Sequence, residues 1–132
     1  MYALAKKYKS KLAKLADEPR SGTFAPTYDD VHNWFRVLNR ELFDNKLSEI
    51  QHINIGIRRL TWAYYLYEPG VNPQEGKTWL YMNHRYHSKQ HFVECLIHEM
   101  VHHHQYLTGK KVKHNHGFYR WNKKIEKYGM KL

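Results

Sequence analysis

The chain has 132 residues, 42% hydrophobic and 15% aromatic, enough to fill one core but not a second folded unit. Its single cysteine, Cys95, excludes an internal disulfide and a cysteine-based zinc site. No apolar run approaches the ~18 residues of a membrane span, and the lysine-rich start has no secretory apolar core. The chain therefore reads as intracellular, cytoplasmic or nucleoid/nuclear, with no membrane partner.

Residues 2–16 predict a basic helix that Asp17-Glu18-Pro19 would end, and residues 17–27 read as a linker. Thr27 is a good N-cap for the next helix, with Asp29 and Asp30 in its first turn. Val31, Trp34, Phe35, Leu38 and Leu42 then recur with helical spacing, and Phe43-Asp44-Asn45-Lys46-Leu47 closes the element. Three short strands follow: Ile53 to Ile57, Trp62 to Tyr67, and Lys77 to Met82 after a loop from Val71 to Gly76. A long apolar helix runs from about Ser88 to Leu107, with Gly109 as its C′ residue. A last helix is expected from about Gly117 to Tyr128, with Phe118, Trp121, Ile125 and Tyr128 as its apolar stripe. The order is that of an α+β fold with a small three-stranded sheet.

The formal charge is +10, and its excess sits at the two ends. Residues 1–16 carry five Lys and no acid; residues 110–132 carry seven Lys and one Arg against Glu126 alone. Such basic termini are a footprint for DNA contact, although a solvated surface has the same composition.

The sharpest signal is His98-Glu99-Met100-Val101-His102. Residues four apart lie on one helix face, so His98 and His102 can point two imidazoles at one metal ion. Glu99 beside them can reach a water on that metal, which is the HExxH zincin arrangement. An accidental pair would bury three polar groups on an apolar helix without obvious partners. A catalytic zinc takes three protein ligands and keeps one position open. A metzincin would need glycine at position 105 and histidine at 108; the chain has Gln105 and Thr108. Glu126 is the one carboxylate candidate after Glu99. His103 and His104 point off the ligand face and are expected on the helix surface or in support of the ligands. His114 and His116 remain. His114 is four residues before Phe118, in phase with the last helix's apolar stripe, provided that a helix or turn reaches back to it. His116 is out of phase.

These residues resemble the SprT family of zinc metallopeptidases, which includes the Spartan DNA–protein crosslink proteases. The resemblance spans about residues 28–128: a helix ending near Phe43-Asp44-Asn45-Lys46-Leu47, a small sheet, the HExxH run, and a third His opening a last helix. The family's third His is typically followed by Gly and, at the fourth position after it, by an aromatic. His116-Gly117 keeps the first feature and Arg120 breaks the second. His114 keeps the second through Phe118, while Asn115 replaces the Gly. His114 is the favoured third ligand and His116 the alternative. The resemblance implies a zincin-like minimal metallopeptidase domain over 28–132, preceded by a basic helix and linker over 1–27. It further implies Zn2+ as cofactor, Glu99 as general base and a protein or peptide substrate, which for Spartan-like members lies on DNA. The chain lacks that group's cysteine-rich zinc ribbon, so DNA would have to meet the basic termini or the domain surface.

The expected activity is that of a zinc metalloendopeptidase acting as a monomer. The rival is a DNA-binding or adaptor protein with a structural zinc closed by both His114 and His116. Tyr106 and Tyr119 are candidate oxyanion donors. Cys95 reads as a small buried hydrophobe. The strand Lys77 to Met82 is a candidate cleft strand that would pair with an extended peptide. His84, His87 and His91 read as surface polar residues.

Overall fold

A computed structural model describes residues 10–20, 22–70 and 76–132. The start of the expected basic helix and most of the loop from Val71 to Gly76 lie outside the described residues.

Helix α1, Lys11–Asp17, starts at the N-cap Ser10, whose hydroxyl accepts from the Ala13 amide. Its lysines face solvent, but Leu12 and Leu15 are fully buried in the main core. The Glu41 carboxylate accepts from the Lys11 amide at 3.0 Å and the Leu12 amide at 3.3 Å, placing an anion on the helix's positive end.

Helix α2, Tyr28–Leu42, opens with a complete capping box: the Asp30 amide donates to Thr27 Oγ1 and the Thr27 amide to Asp30 Oδ2. It ends where Asp44 and Asn45 take positive φ angles, a conformation that Asp and Asn tolerate better than most residues. Asn39 then grips the returning chain through both backbone groups of Leu47.

The strands are β1 (His52–Gly56), β2 (Ala63–Glu68) and β3 (Lys77–Asn83), in the order β1-β3-β2. β1 runs parallel to β3 and β2 antiparallel to it. The Lys77 strand is therefore the central one. Both of its edges are spent on neighbours, so it has no free edge for a peptide, and β2 is the strand that lies at an edge and packs against the long helix. That corrects the expected cleft strand.

Helix α3, Lys89–Leu107, is capped by Ser88 and buries Phe92, Val93, Leu96, Ile97, Met100 and Val101. The expected last helix is broken into α4 (His116–Tyr119), α5 (Asn122–Ile125) and a 3-10 turn, Glu126–Tyr128, that ends at Gly129 in the left-handed region. Phe118 and Ile125 still reach the core. Helices this short depend on packing of buried side chains for their stability. Among the described residues, no helix is long and apolar enough to cross a membrane.

Candidate metal centre

His98, Glu99 and His102 lie in the middle of α3, on the side that faces β2 and the segment leading into α4. The Nε2 atoms of His98 and His102 each lie 3.0 Å from His114 Nε2. The three imidazoles are a group able to hold one metal ion. Glu126 and His116 are not part of that group, and neither is Cys95. The Cys95 thiol is half-buried, and burial pushes its pKa up to about 12.

The protons favour a metal over hydrogen bonds. Gln105 Oε1 lies 2.9 Å from His102 Nδ1. An amide oxygen can only accept, so Nδ1 carries the proton and Nε2 presents a lone pair. One proton on His114 Nε2 cannot serve two such lone pairs well, whereas one cation can satisfy all three nitrogens. Burial pushes the His98 imidazole down to about 4, helped by His102 and His114, and pushes His102 down as well. Neutral imidazole is the ligating form.

Gln105 does more than orient His102. Its side chain also donates to the Lys113 carbonyl at 3.0 Å and accepts from the Lys113 amide at 3.3 Å. It therefore fastens the segment before His114 to the helix that carries His98 and His102. His114 approaches from a bend, not from a helix: α4 begins at His116, after the N-cap Asn115, whose Oδ1 accepts from the Phe118 amide. The helical phase expected for His114 is absent. Its position comes from the Gln105 fastening and the Asn115 cap. Phe118 is fully buried with its ring centroid 4.7, 4.7 and 4.8 Å from those of His98, His102 and His114. The aromatic four residues after His114 is thus the packing floor for all three imidazoles.

The Glu99 carboxylate is 4.0 Å from His98 Nε2, and burial raises its pKa to about 8. It sits in an open cleft of about 580 Å³ walled by Thr61, Ala63, Tyr64 and Tyr65 on one side and Val112 to His114 on the other. A second cavity of about 240 Å³ continues past Glu99 to Trp62, His91, Glu94 and Cys95.

His103 is not on the surface. It is 1% exposed and bridges the Tyr65 hydroxyl and the Ser48 carbonyl, each at 2.7 Å. His104 is half-buried between Phe43 and Trp121. Tyr106 is buried with its hydroxyl against Gly76, away from the cleft lining. Tyr119 is exposed beside His114, ring centroids 6.3 Å apart. His87 and His91 stack on each other and meet Trp62 edge-on, and His91 lines the smaller cavity. Gln105 was missed as a functional residue, although its spacing of three from His102 puts it on the same helix face.

Comparison of the chain with curated proteins and with solved structures gives no match. Comparison with family models matches residues 31–132, from α2 through the whole metal centre, to the SprT-like family. The chain belongs to the SprT-like family.

Proposed function

We propose that the chain is a zinc-dependent endopeptidase that hydrolyses protein or peptide bonds. The observation that carries this reading is the convergence of three imidazole Nε2 atoms beside a buried carboxylate on the floor of an open cleft. His98, His102 and His114 would hold the ion, and three neutral imidazoles suit zinc. When bound, zinc supplies Lewis acidity and lowers the pKa of a water toward neutrality.

Glu99 accepts the proton from the attacking water as oxygen adds to the scissile carbonyl carbon. It then delivers that proton to the leaving amine as the C–N bond breaks. Burial alone raises the Glu99 pKa to about 8, and a cation held by the three histidines would lower it, giving a carboxylate able to take the proton and return it. Among the described residues the outer edge of β2 is unpaired and offers main-chain hydrogen bonds to an extended peptide, a mode that reads backbone more than side chains. Substrates bound to DNA fit the +10 charge.

The structural-zinc rival needs a fourth protein ligand. The ligand group contains His114 without His116, which favours an open position. The test is Glu99→Gln, assayed on an unfolded protein substrate at equal zinc content. Zinc should be retained and cleavage lost. A variant that cleaves like the parent would refute the assignment.

A further inference from the structure

The helix face carrying His104 is turned about 200° from the one carrying His102. There, away from the metal centre, a cleft of about 280 Å³ is lined by His104, Lys110, Gly117, Arg120, Trp121 and Lys124. Every ionisable residue in that lining is basic. His104 and Trp121 are half-buried and meet edge-on with ring centroids 5.1 Å apart. Lys124 Nζ sits 4.8 Å from the Trp121 ring and donates to the Leu42 carbonyl at 3.1 Å. Lys46 adds a further positive charge near His104, alongside Lys110 and Lys124.

Charges of this kind often serve only to complement helix C-termini, and α2 and α3 do end here, at Leu42 and Leu107. Each helix end carries about half a negative charge. Two ends offset about one of the four charges on Lys46, Lys110, Arg120 and Lys124. Among the described residues, Arg40 is the one Lys or Arg with a carboxylate within 4.0 Å, so none of these four charges is held in a described ion pair. A concave site with a net excess of about three positive charges in and beside it, and an aromatic floor, favours a multivalent anion.

We propose that this cleft seats a phosphate group, carried by a nucleic-acid strand or present as the free ion. Arg120 and the lysines supply the charge-assisted hydrogen bonds, and Trp121 offers an aromatic surface on which a neighbouring base can stack. The cleft shares no residue with the metal centre, so the inference stands apart from the peptidase reading. It also gives the folded domain a phosphate contact of its own, separate from the N-terminal lysines.

The test uses the full chain and a labelled single-stranded oligonucleotide, followed by fluorescence anisotropy across a salt series. The double variant Arg120→Gln/Lys124→Gln changes two exposed side chains. It should weaken binding roughly ten-fold and reduce the slope of log K against log salt by about 1.4, from two lost phosphate contacts. A control variant with Lys6, Lys7 and Lys9 replaced by Gln should leave the cleft's share of that slope in place. Inorganic phosphate, titrated against tryptophan fluorescence with Trp121→Phe as reference, separates the two sources. A response in the parent that the double variant lacks, with oligonucleotide binding equal in both, assigns the cleft to the free ion. Unchanged oligonucleotide affinity and slope together with an unchanged phosphate response would overturn the proposal.

Discussion

Replacing Gln105 by Leu would separate the positioning of the metal ligands from the ligands themselves. Leu has nearly the same volume, so no cavity opens at this buried position. What disappears is the acceptor for His102 Nδ1 and both bonds to Lys113. His102 can then rotate or change tautomer, and the segment carrying His114 is no longer fastened to α3. Removing an outer partner of a ligating histidine typically costs 10–100-fold in metal affinity, which is about 1.4–2.7 kcal/mol. Three hydrogen bonds at about 0.5–1.5 kcal/mol each suggest a fold weakened by about 2–4 kcal/mol. Zinc affinity should be measured by competition with a chromophoric chelator, and stability by urea unfolding of the metal-free chain. Gln105→Glu keeps an oxygen for His102 and loses the donor to Lys113, so it should retain more of the metal affinity than the Leu variant. Parental zinc affinity in Gln105→Leu would refute the reasoning.

Three further outcomes follow from the same geometry. His114→Ala should lose most zinc affinity while His116→Ala keeps it, in the same chelator competition; the reverse order would exchange their roles. Phe118→Ala should cost about 3–5 kcal/mol in urea unfolding, as a fully buried aromatic does, and should loosen zinc as well because the ring floors all three imidazoles. His103 should make the metal-free fold acid-sensitive. Burial lowers its pKa from 6.5 to about 4, so between those values the unfolded chain binds a proton that the folded chain refuses. Its contribution is fully present above pH 6.5 and is lost as pH falls to about 4, amounting to about 3 kcal/mol. Urea unfolding of His103→Gln across that range should show a flatter dependence; equal slopes in parent and variant would exclude His103 as the cause.

Local signals were legible where one residue type has one physical use. The Thr27 and Asp30 cap, the alternating strands and the helix bearing His98, Glu99 and His102 all follow from chemistry within a few residues. Sheet order was not legible, because nothing in Lys77 to Asn83 says whether its edges are paired; that depends on where β1 and β2 arrive. His103 was misplaced for a related reason. Its two partners, Tyr65 and Ser48, are 38 and 55 residues away in sequence. His114 joins the three-histidine group, but not by the expected route. The spacing to Phe118 mattered because the ring packs against the imidazoles, not because a helix connects the two residues. Asn115, which departs from the family's glycine, proves to be the cap that starts α4.

The proposed peptidase chemistry requires a metal site with three histidine ligands and one open position. A crystal structure of the zinc-loaded chain, with the metal located by anomalous scattering at the zinc edge, tests this most directly. The account predicts the Nε2 atoms of His98, His102 and His114 on the ion, with solvent in the remaining position and Glu99 beside it. Zinc closed by a fourth protein ligand, or held by His116 in place of His114, would contradict it.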